Sequence, residues 1–216
     1  MKIQYFGHSC FYIKNKESSV LMDPFDSKMV GLNMPKVDAD IVTVSHQHKD
    51  HNQTAAVCNG VVFDFPGEYE VKGVKVFGYQ SYHDQEQGQK RGENIIFKII
   101  INNVVLTHLG DLGHLPEPAL IDELEDTDVL LIPVGGTYTI DGQTAKKVIE
   151  LIKPSITIPM HYQTDKHNPA EFGQLAKVEE FLKLMGKDAL APIPKFEIKT
   201  EEDLPENELV VLDIAK

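Results

Sequence analysis

The chain has 216 residues, 42% of them hydrophobic. A domain of that length buries roughly 70% of the surface its unfolded chain would expose, so it needs no disulfide or structural metal merely to fold. The formal net charge of −12, from 33 acidic against 21 basic residues, argues against non-specific binding to nucleic acid or anionic membranes.

Two cysteines, Cys10 and Cys58, with no Cys-x-x-Cys pair, do not make a secreted disulfide framework. Residues 1–5 lack the charged start and apolar run of a signal peptide. The most apolar stretch, 94–109, is broken by Lys98, Asn102 and Asn103, so no membrane span is expected. The expectation is one cytoplasmic domain over 1–216, with a homo-oligomer left open. Lys90-Arg91 and Lys146-Lys147 are the adjacent basic pairs, and neither makes a basic tract.

Short strands are predicted at 3–6, 10–14 and 20–22, the third ending in a turn at Asp23-Pro24-Phe25-Asp26. Residues 41–44 form a β-branched run without polar alternation, as in a strand buried on both faces. A short helix is expected over 52–58. Strands follow at 61–63 and 74–77, with Pro66-Gly67-Glu68 turning between them. Residues 95–101 and 104–107 read as a hairpin closed by Asn102-Asn103. A helix over 116–124, a strand over 129–132, and a helix capped by Asp141 and closed by Lys153-Pro154 come next. After a strand at 156–158, Leu175, Val178, Leu182 and Met185 at helical spacing predict an amphipathic helix over 170–185, stopped by Gly186. Strands at 195–198 and 208–212 complete an α/β (α+β) pattern of helices flanking packed sheets.

The segment His46-Gln47-His48-Lys49-Asp50-His51 directly follows the buried strand. His46 and His48 project to one side of an extended stretch, while Asp50 and His51 come as the chain bends. One open catalytic zinc takes about three protein ligands. Four donors in six residues therefore point to two metals, with further ligands from elsewhere. The bland reading, a histidine-rich surface loop, fits an isolated pair better than this pattern.

With Asp23-Pro24-Phe25, Pro66-Gly67-Glu68-Tyr69-Glu70, Ser81-Tyr82-His83-Asp84, His108-Leu109-Gly110-Asp111, Pro133-Val134-Gly135-Gly136 and Pro159-Met160-His161-Tyr162 in this order, the chain resembles the metallo-β-lactamase superfamily. It is most similar to the small single-domain bacterial hydrolases of that fold. The resemblance implies a four-layer αβ/βα sandwich. It implies His46, His48 and His83 on a first metal, Asp50, His51 and His161 on a second, and Asp111 bridging. His108 is an alternative to His83 as third histidine.

The implied cofactors are two divalent ions, with Zn²⁺ suiting the histidines and Mn²⁺ or Fe²⁺ as alternatives. The implied activity is hydrolysis of a small ester, lactone, amide or phosphate substrate by a metal-bridging hydroxide. By formal charge count such a site can attract an anion. Asp50 would orient the nucleophile, and His114 is a candidate proton donor. Tyr138 and Tyr162 are weak candidates for substrate contact, and His8 and His167 read as plain surface or packing residues. Iron-redox members of the family usually carry Glu where this chain has His48, which favours hydrolysis. The competing readings are an RNA-processing metallo-nuclease, disfavoured by the acidic charge, and a metal-binding protein without turnover.

Overall fold

The computed structural model describes residues 1–215, and chain order sorts their strands between two larger sheets. β1 (Lys2–Gly7) and β2 (Cys10–Lys14) are antiparallel neighbours, and β3 (Ser19–Met22) pairs antiparallel with β2. Asp26 caps the short α1 (Ser27–Val30), its carboxylate accepting from the N–H groups of Lys28 and Met29 at 2.8 and 3.0 Å. β4 (Val37–Asp38) precedes β5 (Ile41–Thr43), which runs parallel to β3. β6 (Val57–Cys58) pairs with β4 in a small parallel ribbon, and β7 (Val61–Phe63) lies parallel to β5.

The second sheet opens with β8 (Gly67–Val71) and β9 (Val74–Tyr82), joined at Lys72-Gly73. Both turn residues have positive φ, 50° and 72°, the geometry that matches strand twist in a two-residue hairpin. β10 (Glu93–Ile101) and β11 (Val104–His108) form the expected hairpin on Asn102-Asn103. α2 (Pro118–Leu124), β12 (Val129–Pro133), α3 (Gly142–Ile152) and β13 (Ile156–Met160) follow, with β11, β12 and β13 parallel. The Asp141 carboxylate accepts from Thr144 N–H at 2.8 Å at the start of α3, a cap worth about 1 kcal/mol. Beyond α4 (Pro169–Phe172) and α5 (Val178–Leu184), β14 (Phe196–Glu197) returns to the first sheet beside β1. β15 (Glu208–Leu209) joins the second sheet beside β13.

One apolar cluster fills the space between the sheets. Ile3, Phe11, Val20 and Ile41 come from the first, and Val76, Phe97, Leu106, Leu131 and Ile158 from the second. Ala145, Val148, Ile149 and Ile152 on the buried side of α3 belong to the same cluster. A smaller cluster, including Tyr12, Leu21, Phe25, Val30 and Phe172, packs α1 and α4 against the first sheet. The result is the expected α+β sandwich of two mixed sheets with flanking helices. Among the described residues, no helix is long and apolar enough to cross a membrane.

Three segments depart from expectation. Residues 52–58 form a single 3₁₀ turn, Thr54–Ala56, and then β6. Gln53 gives no side-chain cap there, and β4 offers Val57 and Cys58 a strand partner. The 66–68 turn is instead the start of β8, because Gly67 pairs with Gly78 of β9. The helix expected over 170–185 is two helices. Ala176 N–H donates to Gly135 O at 2.8 Å and Ala176 O accepts from Gln163 N–H at 2.9 Å, which draws 173–177 into a bridge beside the 135 and 163 loops.

Candidate metal centre

The histidine segment begins just beyond β5, while His83, Asp111 and His161 stand just past β9, β11 and β13. These strand ends bring the side chains together. His46, Asp50, His51, His83, Asp111 and His161 are buried, and His48 is exposed. Asp111 Oδ2 lies 3.2 Å from His83 Nε2, 3.2 Å from His161 Nε2 and 3.3 Å from His51 Nε2. His46, His48 and His83 bring one ligand atom each within 4.8 Å of one another, and so do Asp50, His51, His161 and His8. Asp111 stands where the two groups meet.

These side chains are held from behind. Asp23, at the end of β3, accepts from Ser45 N–H at 2.8 Å and Ser45 Oγ–H at 2.6 Å, and its Oδ2 lies 2.8 Å from His51 Nδ1. An Nδ1–H donated to that carboxylate leaves the His51 Nε2 lone pair facing Asp50 and Asp111. Asn94 Oδ1 accepts from Asp111 N–H at 2.8 Å, while its amide donates to Leu109 O and Ser81 Oγ. Gly110 has φ +56° and no room for a Cβ, which would fall 2.3 Å from Asn94 Oδ1. A Cβ on Gly113 would fall 2.3 Å from both Asp84 N and His83 C. Glycine on either side of Asp111 is therefore required by the close approach of its neighbours.

The remaining histidines separate clearly. His108 is fully buried, with Nε2 2.8 Å from Ser9 O and Nδ1 accepting from Gly110 N–H, so both ring nitrogens are committed to backbone. His114 accepts from Tyr82 N–H at Nε2, has Nδ1 3.0 Å from Leu115 O, and does not line the pocket at the cluster. His8, in sequence a surface or packing residue, has its Nε2 3.1 Å from Asp50 Oδ2. Its carbonyl accepts from His161 N–H and Tyr5 Oη–H, each at 2.8 Å. The signal available in sequence was Gly7-His8-Ser9 at a strand turn, where His8 takes φ +57°. Asp23, in sequence a turn residue and part of the Asp23-Pro24-Phe25 landmark, is the other residue whose supporting role appears only in the fold.

Burial raises the Asp111 and Asp50 carboxyl pKa values. The facing imidazoles outweigh it and hold both well below the usual carboxylate range: His161 and His51 at Asp111, His51 and His8 at Asp50. Burial, then His51, lowers His46, and burial, then His83, lowers His48. Burial also disfavours a charged His51, but Asp111 and Asp50 outweigh it and raise its pKa, so a bound cation there would displace a proton. His46 Nε2, His51 Nε2, His161 Nε2 and Asp111 Oδ1 are buried without a hydrogen-bond partner. Such atoms are costly unless something satisfies them. Their lone pairs and the two ionised carboxylates fit divalent cations.

Facing mixed sheets with imidazoles and carboxylates gathered at their strand ends define a metal-site class of αβ/βα proteins. The family model described as "Beta-lactamase superfamily domain" matches residues 2–161, and the chain belongs to the metallo-β-lactamase superfamily. A relative from Thermoplasma volcanium described as a UPF0173 metal-dependent hydrolase is 30% identical, over 82% of this chain and 91% of its own. One from Carboxydothermus hydrogenoformans with the same description is 29% identical, over 81% and 90%. A Thermotoga maritima crystal structure assigned to the Zn-dependent hydrolases of the superfamily superposes with TM-score 0.78 at 37% identity, covering 98% of this chain and 99% of that one.

Proposed function

We propose that the chain is a metal-dependent hydrolase that holds two divalent cations about Asp111 and cleaves a small-molecule substrate. Its standing as a metal-dependent hydrolase is supported by the relatives and by the cluster itself. The single observation behind the dinuclear reading is the position of Asp111 Oδ2 within 3.3 Å of imidazoles from both ligand groups. His46, His48 and His83 would hold the first cation and Asp50, His51 and His161 the second, with Asp111 available to both. A donor set dominated by imidazole favours Zn²⁺ over Mn²⁺ or Fe²⁺.

Divalent cations at such a site supply ionisation of water near neutral pH and charge neutralisation on a substrate oxygen. The chain's own residues do the rest. Asp50, fixed by His8, orients the attacking water toward the carbonyl carbon or phosphorus of an ester, lactone, amide or phosphate. Water oxygen bonds to that centre and gives up a proton to solvent, the scissile bond breaks, and the leaving atom takes a proton back from solvent at the open mouth. His114 is not used, since both its ring nitrogens are engaged outside the pocket.

Turnover of the Zn-loaded protein on a panel of activated esters, lactones and phosphodiesters tests this reading. Asp50→Ala is expected to lower kcat/KM by about 10³-fold or more on any substrate found, the scale of a lost transition-state interaction of about 4 kcal/mol. Near-normal turnover in Asp50→Ala contradicts it.

A further inference from the structure

The segment between β9 and β10 is built around one carboxylate. Asp84, the residue after His83, accepts from the backbone N–H groups of Glu86 (2.7 Å), Gly88 (3.0 Å), Lys90 (2.9 Å) and Arg91 (2.7 Å). These four donors wrap the loop around the carboxylate. Asp84 thereby fixes Arg91, at the far end of the loop, relative to His83 at the near end. Gly113 packs against the His83–Asp84 backbone with no space for a side chain.

Arg91 is carried across the mouth of the pocket. Its guanidinium carbon lies 4.8 Å from the centre of the Tyr138 ring, and Nη2 donates to Thr137 O at 3.4 Å. Tyr138 is itself fixed, with its hydroxyl donating to Glu171 O at 2.8 Å and its ring edge-on to His161 at 6.5 Å. The guanidinium therefore stands one aromatic ring away from a proposed metal ligand. It lines the same cavity of about 400 Å³ as His48, Asp50 and Asp111. Arg91 has no carboxylate partner among the described residues, so most of its planar fork of donors remains available. The apolar walls beside it are Met29, Tyr138 and Phe172.

We propose that Arg91 is the specificity residue of this site, binding a carboxylate or phosphate-type anion of a small substrate whose scissile bond lies at the metal centre. The inference rests on the dinuclear hydrolase reading and narrows its substrate class to compounds with a compact apolar body and an anionic group away from the reacting bond. Stacking on Tyr138 and anchoring by Asp84 preorganise the cation, so little ordering cost remains when the anion arrives.

Isothermal titration of the Zn-loaded protein tests this with ω-mercaptocarboxylates, ω-mercaptophosphonates and neutral ω-mercaptoalcohols of matched length. The thiol anchors each probe at the cations, and the tail reports on Arg91. An anionic tail is expected to tighten binding about 10- to 100-fold over the neutral tail, the scale of a charge-assisted hydrogen bond. The preferred tail, carboxylate or phosphonate, identifies the anion. Arg91→Gln is expected to bring that ratio to about one, and Arg91→Lys to keep only part of it, because a point charge lacks the fork. The same ratio in wild type and Arg91→Gln overturns the proposal, as does a preference lost in Lys49→Gln but kept in Arg91→Gln. Failure of every thiol to bind the Zn-loaded wild type is a distinct result that overturns the metal reading beneath it.

Discussion

His8 Nε2 lies 3.1 Å from Asp50 Oδ2, and the same residue's carbonyl accepts the His161 N–H at 2.8 Å. One residue in the β1–β2 turn therefore steadies two of the three side chains assigned to the second cation. Residues that orient metal ligands typically contribute 10- to 100-fold to metal affinity. His8→Ala is expected to lower bound zinc from about two to about one per chain, with the His46, His48 and His83 site still filled. His8→Gln, whose amide N–H reaches a similar point, should restore part of the second site. Two tightly bound zinc ions in His8→Ala would show that Asp50 needs no such support.

Asp23 acts on the neighbouring ligand. Its carboxylate fixes the His51 ring through Nδ1 and holds the Ser45 turn that begins the histidine segment. In Asp23→Asn the amide keeps the shape but can offer Nδ1 a donor, which favours the wrong tautomer at Nε2. Zinc affinity of the second site should fall about 10- to 100-fold, measured by competition with a chromophoric chelator. An unchanged affinity would remove Asp23 from the account.

Strand ends and turns were legible from sequence where the signal is local. The Asn102-Asn103 hairpin, the Asp141 cap and the histidine segment after a buried strand are each set by residues a few positions apart. The family resemblance brought in His83, Asp111 and His161. Asp23 and His8 escaped because their partners lie 28 and 42 residues away, and nothing local marks a carboxylate or imidazole as the support of a distant ligand. The helical spacing of Leu175, Val178, Leu182 and Met185 misled for the same reason. A backbone pairing of Ala176 with Gly135 and Gln163 overrides the periodicity there.

Acid should destabilise the metal-free protein through its buried histidines. Burial, then His8 and His161, lowers His167 to about 3, and burial, then His161, lowers His8 to about 4 against the pull of Asp50. The unfolded chain binds these protons near 6.5 and the folded chain only at the lower values. Their contribution is thus complete above the unfolded pKa and is lost as pH falls toward about 4 and then 3. Each such proton gives a slope of about 1.4 kcal/mol per pH unit. His167→Asn should reduce the acid slope of unfolding free energy between about pH 6 and 4 by roughly that amount. A slope equal to wild type would contradict this.

Gly113 offers a stability test independent of metal. A methyl group there meets the His83 and Asp84 backbone at 2.3 Å, which neither residue can yield without moving the loop. Gly113→Ala should cost about 2–4 kcal/mol in denaturant unfolding of the apoprotein. A cost below about 0.5 kcal/mol, the range of ordinary surface changes, would mean that the 83–84 backbone is free to shift.

Anomalous diffraction at the zinc edge, from crystals of the Zn-loaded protein, addresses the shared carboxylate directly. Two peaks about 3.5–4 Å apart, one on either side of Asp111, are the expected result, with both lost or weakened in Asp111→Ala. A fully loaded crystal with one peak, or with zinc bound away from Asp111, would contradict the dinuclear site.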